Sequence, residues 1–233
     1  MTSILLLETS TRVCSVGLSI DNRLVSIRET SESQSHSELI TSFIEEVVSE
    51  PGLAFTDLSA VAVSMGPGSY TGLRIGVSTA KGICYALDIP LIAIDTLKAM
   101  AFGMLQKADP KLRHNSFFCP MIDARRMEVY TAVFDDQIQT LEPTHALILS
   151  PESLKRWFDA GQVWIAGDGA DKCLDLWPGK TNLNHIKPFV PSVQWMTDLA
   201  YQQFKQQQFA DLAYSEPFYL KDFIAGVPRV KGL

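Results

Sequence analysis

Apolar residues recur along this chain in short runs whose spacing changes from strand-like to helix-like. Residues 4–7 (ILLL) form a compact apolar run. Residues 13–20 (VCSVGLSI) alternate as a half-buried strand does, IDNR supplies a turn, and residues 24–29 return. From Ser37 the period becomes helical, and residues 59–65 (SAVAVSM) read as a buried strand. A glycine-rich loop follows, then a helix over 72–87, a strand at 90–95 (PLIAID), and a helix from Thr96 to about Lys107. The first half therefore predicts βββαβαβ followed by a further helix.

Sliding the chain by 115 positions lays the opening meander over residues 119–139 (CPMIDARRMEVYTAVFDDQIQ). Glu8 falls on Asp123, Val16 on Thr131, Leu18 on Val133 and Asp21 on Asp136. Ser35, Leu39 and Phe43 fall on Ser150, Leu154 and Phe158, so one offset serves both the meander and the helix start. At a shorter offset, QVWIAGDGA at 162–170 stands where AVAVSMGPG stood. The pattern predicts an α/β fold built from a duplicated βββαβαβα unit. Two such lobes facing each other is the architecture of the actin, sugar-kinase and heat-shock-chaperone ATPases (the ASKHA fold). The polar, proline-containing stretch KADPKLRHN at 107–115 separates the lobes, expected at 1–108 and 109–233, with the last residues packing back on the first lobe.

The loop SMGPGSYTGLRIG, residues 64–76, invites comparison with a phosphate cradle. A Walker A loop needs G-x-x-x-x-G-K-[ST] so that its lysine reaches the β and γ phosphates. Here no lysine holds that place, and the nearest cations, Arg74 and Lys81, lie inside the helix. Gly68 and Ser69 still open a helix whose free N–H groups favour an anion. Gly72, Gly76 and Ala80 recur at intervals of four, a face with almost no side chains that another backbone can approach. On the first helix Leu39, Ile40, Phe43, Ile44, Val47 and Val48 cover roughly half the circumference, more than one sheet needs. The spacing predicts that these residues and the Gly72 face form a subunit interface, the alternative being cover by a lid or by the second lobe.

Composition narrows the classes. The chain has 233 residues, 46% hydrophobic and 20% charged, enough for a sizeable core. Its net charge of −6 and the lack of a dense Lys/Arg block argue against a protein that holds nucleic acid alone. Cys14, Cys84, Cys119 and Cys173 are scattered with no C-x-x-C pair, as reduced buried thiols are. The initial apolar run is too short for a secretory signal or a membrane span, so a cytoplasmic protein is expected.

GPGSYTGLRIGVSTAKG at 66–82, ETSTRVCSVGLS at 8–19, DARRMEVY at 123–130, AGDGA at 166–170 and EPFYLKD at 216–222 together resemble the bacterial TsaB family, also called YeaZ. The likeness runs nearly end to end. It implies the two-lobed actin-like ATPase fold and a role in forming N6-threonylcarbamoyladenosine in tRNAs that read codons beginning with A. It further implies a non-catalytic scaffold that dimerises with TsaD, the paralogue that transfers the threonylcarbamoyl group, and works with the ATPase TsaE. Alone, such a chain is expected to homodimerise, to carry no cofactor and to meet tRNA only through the complex; any ATP or ADP would sit at the partner interface.

The residues fit that absence of chemistry. TsaD-like enzymes hold a metal through H-x-x-x-H, whereas His36, His114, His145 and His185 are widely separated here. His36 is expected in the capping region of the first helix. Glu8, Thr9 and Ser10 keep the form of a degenerate phosphate loop, while Arg125, Arg126 and Met127 are expected to crowd the second one and Asp123 to pair with a neighbouring arginine. No catalytic or metal-ligating residue is assigned. Two rival classes are an active ATPase or small-molecule kinase using Glu8 and Asp123, and a glycoprotease-like peptidase, for which Ser37 beside His36 offers only sequence adjacency.

Overall fold

The computed structural model describes residues 1–31 and 36–221; Ser35 and Asp222, which enter the sequence comparisons above, lie outside the described residues. The first half contains β1 (Ser3–Glu8), β2 (Cys14–Ile20), β3 (Arg23–Thr30), α1 (His36–Ser49), β4 (Ala60–Ser64), α2 (Tyr70–Leu87), β5 (Leu91–Ile94) and α3 (Thr96–Lys107). The second contains β6 (Ser116–Asp123), β7 (Glu128–Phe134), β8 (Thr140–Ile148), α4 (Lys155–Ala160), β9 (Gln162–Ala166), β10 (Leu183–Ile186) and α5 (Thr197–Lys205).

Each half makes one five-stranded sheet, in the orders β3-β2-β1-β4-β5 and β10-β9-β6-β7-β8. Read from the third strand of each meander, the two orders coincide, as a duplication requires. The first two strand pairs of each sheet are antiparallel and the last two parallel. The second copy is abridged: where the first has the helix α2, the second has a turn-rich segment with a short 3-10 helix at Leu174–Leu176.

The strand period of two divides the core. Ile4 and Leu6 of β1 join Ala60, Ala62, Ile92 and Ile94 in a cluster that also holds Phe118, Phe134 and Trp164 of the second sheet, with α3 between. Leu5 and Leu7 point the other way, into a cluster with α1 and α2. That is why ILLL is continuously apolar: both faces of β1 are covered. The helices cross over, α3 packing on β6 of the second sheet and α5 on β5 of the first. A third cluster under α4 holds Trp157, Phe158 and Trp177. All four cysteines are free and buried, and burial pushes Cys14, Cys84 and Cys173 up to about 11. Among the described residues no helix is long and apolar enough to cross a membrane.

After α5 the chain returns across the first half. Ala210 bridges to Leu91 of β5, Lys81 Nζ donates to the carbonyls of Ala213 and Ser215, and Phe218 N donates to Met65 O at 2.6 Å. Lys221 then reaches Glu128 of β7 in an ion pair, tying the two halves together.

The crossing of α3 beneath the second half has a single tight point. A Cβ at Gly103 would lie 2.5 Å from the Trp195 ring, itself stacked on Phe189. Helix propensity alone favours alanine there by about 1 kcal/mol. The ring has no free end to swing aside, so overpacking wins, and Gly103→Ala should destabilise by about 1–3 kcal/mol net of the propensity gain. Urea unfolding of the two proteins checks this.

Candidate functional site

The turn after β1 and the start of α2 form the centre of the first half. Ser69 caps α2, its hydroxyl accepting from Gly72 N at 3.3 Å, and Ser69 N itself donates to Ser10 O at 2.6 Å. Thr9 Oγ1 donates to Gly72 O at 2.8 Å. Glu8 Oε1 accepts from Ser10 N at 2.6 Å, closing the turn on itself. Glu8, Thr9 and Ser10 are at most 1% exposed. Ser10 N, Ser69 N and Gly72 N are thus engaged within the chain, and the turn holds the start of α2 against the end of β1.

The same contact explains the small residues of α2. A Cβ at Gly72 would overlap Thr9 O, and one at Gly76 would overlap Thr9 Oγ1. The close-approach face is thus filled by the chain's own turn, which corrects the expectation that it awaits another subunit. Gly66 serves the same corner, with φ +112 and the Phe218 carbonyl 2.7 Å from where a Cβ would sit. Ile40, Ile44, Val47 and Ala80 are also inside, each no more than 3% exposed. They belong to the core beneath α1 and α2 and have no surface to offer a partner; the broad apolar arc of α1 is consumed by β2, β3 and α2 together. Of the expected interface residues, Leu39 and Phe43 keep partial exposure, and Ile75 and Ile83 of α2 do so as well. Gly82 stands apart from the other helix glycines here: among the described residues nothing lies within 4 Å of its would-be Cβ.

In the second half Asp123 sits where Glu8 sits in the first, but its surroundings differ. It accepts from Arg125 N at 2.9 Å and pairs with Lys172, which also donates to the carbonyls of Arg126 and Glu128. The expected arginine partner is therefore a lysine, supplied by the segment after β9. Hydrogen bonding and charge from Lys172 hold the Asp123 carboxyl below its usual range, with burial opposing and Arg12 adding a further favourable charge. Asp168 accepts from Asp123 N at 2.9 Å, and burial raises its carboxyl. Arg125, Arg126 and Met127 are exposed at the hairpin tip.

The histidines go to separate places. His36, at the first turn of α1, contacts Val13 O through Nε2 at 3.1 Å, whereas His114, His145 and His185 face Asp136, Glu142 and Asp171. Among the described residues no cluster of His, Cys, Asp and Glu has the makings of a metal site.

A family profile described as "TsaD: tRNA N6-adenosine threonylcarbamoyltransferase" matches residues 27–155. The protein named "tRNA threonylcarbamoyladenosine biosynthesis protein TsaB" from Escherichia coli (strain K12) is 30% identical over 95% of this chain and 96% of its own length. The chain belongs to the TsaB family. In the TsaB family the solved structure titled "YeaZ from Pseudomonas aeruginosa" superposes with a TM-score of 0.78 at 25% identity, covering 94% of this chain and all of that one. A ROK hexokinase from Thermus thermophilus, at TM-score 0.52 and 11% identity, shares the fold alone, over 88% of this chain and 99% of that one. The actin-like ATPase architecture expected from the internal repeat is thus present in this TsaB-family chain.

Two side chains of this site have roles that local sequence does not announce. Thr9 has the look of a phosphate-loop hydroxyl, while its packing role shows only once α2 is laid across it. Lys172 follows AGDGA by two residues and its charge is the available signal, yet nothing local ties it to Asp123.

Burial of Glu8 raises its carboxyl above the ordinary glutamate range, with hydrogen bonding from Ser10 opposing. The folded state then holds a proton that the unfolded state has lost, so stability falls as pH rises from the ordinary glutamate value toward the raised one. Glu8→Gln keeps an acceptor for Ser10 N and removes that penalty. It should melt higher than the unsubstituted protein near neutral pH, the gain vanishing once pH drops below the ordinary glutamate range; melting across pH 3–8 checks this. Gly72→Ala, in contrast, drives a Cβ into Thr9 O and should cost about 1–3 kcal/mol or more at every pH, read by chemical unfolding.

Proposed function

We propose that this chain is the non-catalytic subunit of a tRNA-modifying assembly, pairing with a TsaD protein and acting with TsaE in forming threonylcarbamoyladenosine on tRNA. The observation that supports this reading is the closed turn after β1: Ser10 O accepts from Ser69 N, the Ser69 hydroxyl accepts from Gly72 N, and Glu8 is sealed beneath. A Mg-ATP enzyme needs those groups open, so the chain is assigned no nucleotide and no reaction of its own. The names of its relatives supply the pathway.

The partner surface is the outer face of α1 and α2. Leu39, Phe43, Ile75 and Ile83 remain partly exposed beside the core they cover. Gly82 lies in the interior of α2, where glycine costs about 0.5–1 kcal/mol relative to alanine and nothing among the described residues needs its small size. A partner backbone seated against it supplies the reason. The same face serves a second copy of the chain when TsaD is absent.

Gly82→Leu separates the partner surface from the fold. In the isolated chain the added side chain meets open space and helix propensity improves, so the melting temperature should hold or rise. Against TsaD, overpacking of about 1–3 kcal/mol should weaken binding roughly tenfold to hundredfold. Titration calorimetry reads the effect, and unchanged affinity would move the contact elsewhere. Depletion in the source cell should lower threonylcarbamoyladenosine in total tRNA by mass spectrometry; an unchanged level would sink the functional reading itself.

A further inference from the structure

The tip of the β6–β7 hairpin combines backbone strain with unpaired charge. Arg125 and Arg126 are consecutive and both have positive φ, 71° and 52°. Glycine or asparagine takes such a backbone at less cost, so arginine is not there for the turn. The turn itself is held by other groups: Asp123 accepts from Arg125 N, and Lys172 pairs with Asp123 while donating to Arg126 O and Glu128 O. Both arginine side chains are left over, exposed and without a hydrogen bond or ion pair among the described residues.

The nearby acids do not claim them. Lys172 neutralises Asp123, and Lys221 neutralises Glu128. From the other half, Arg12 on the β1–β2 turn is exposed, close enough to act electrostatically on Asp123, and likewise unpaired among the described residues. The internal repeat puts these arginines on two equivalent turns, and both turns carry surplus guanidinium on a chain whose net charge is −6. Guanidinium groups present forked donors that match phosphate oxygens. Their position at exposed tips suits an extended polyanion lying across the surface.

We infer that Arg12, Arg125 and Arg126 form a contact site for the phosphodiester backbone of RNA, engaged when the chain is part of its complex. This rests on the proposed role in tRNA modification. Three such contacts on an acidic chain give little binding alone; they add to whatever the partner supplies, in a salt-dependent way.

The test uses the complex of this chain with TsaD and an unmodified tRNA transcript, with binding measured from low to physiological salt. Arg125→Asn with Arg126→Gly removes both charges while relaxing the turn, so folding is not at risk; Arg12→Gln is the second variant. Wild-type and variant complexes should assemble equally. The double variant should weaken tRNA binding severalfold to tenfold, and the slope of log affinity against log salt should shrink by about 0.7–0.9 for each phosphate that the variant no longer neutralises. Arg12→Gln should leave about one phosphate unneutralised. Equal affinity and slope with normal assembly would overturn the site and leave the function proposal standing. Failure of the variants alone to assemble would mean that the arginines hold the protein partner. A defect in Mg-ATP binding in place of tRNA binding would assign the phosphate to a nucleotide. Either result overturns the RNA assignment. Failure of the wild-type chain to bind TsaD at all would bring down both readings.

Discussion

The hydrogen bond from Ser69 N to Ser10 O, with Gly72 pressed on Thr9, fixes the rest of the first half. It sets how closely α2 lies on β1, and α2 in turn shares a core with α1 and carries Lys81, which holds the returning segment at Ala213 and Ser215. A helix N-terminus carries free donors and partial positive charge, which a phosphate can satisfy. Here a backbone carbonyl takes Ser69 N and a serine hydroxyl takes Gly72 N. The contact that holds the lobe together is therefore the one on which the proposed non-catalytic role rests.

The duplicated unit meets this constraint in two ways. In the first half the acidic residue at the end of the opening strand, Glu8, is buried and answered only by hydrogen bonds, which leaves its carboxyl raised by burial. In the second half its counterpart, Asp123, stays at the surface and is answered by Lys172, which lowers its carboxyl. One position in one fold thus takes opposite electrostatic states according to whether a helix covers it. The abridgement of the second copy is the physical cause: with no counterpart of α2, nothing seals Asp123, and a lysine from the loop that replaces the helix can reach it.

What was legible in the sequence followed from local period and repetition. The strand spacing of β2, which is buried along both faces and not half-buried as its alternation predicts, the doubly buried runs of β1 and β4, and the 115-residue offset lead to two sheets of matching strand order, and the glycine block leads to the family. Long-range occupancy was not legible. The small-residue stripe on α2 marks where something must come close, but Thr9, which fills it, is 63 residues from Gly72. The apolar arc of α1 was too wide for one sheet, yet two strands and a helix together absorb it, leaving Leu39 and Phe43 at its margin. Lys172 is 49 residues from Asp123, and the charge pattern around neither announces the pair. Period states which residues must be covered and never states by what.

Residues that a fold does not need carry information of a different kind from those it does. Gly72, Gly76 and Gly103 each have a neighbour inside the chain that excludes a side chain, so their smallness is fully explained by packing. Gly82 has no such neighbour, and Arg125 and Arg126 hold a backbone that suits them poorly while Lys172 and Asp123 hold the turn together. Each of these weakens the isolated chain without a compensating contact among the described residues. A domain near the margin of stability tolerates few such weaknesses unless another molecule makes use of them. The uncompensated residues occupy two separate regions, the exposed side of α2 and the tip of the β6–β7 hairpin. These two regions are the ones on which the proposed partner contact and the proposed phosphate contact rest, because packing within the described residues accounts for neither.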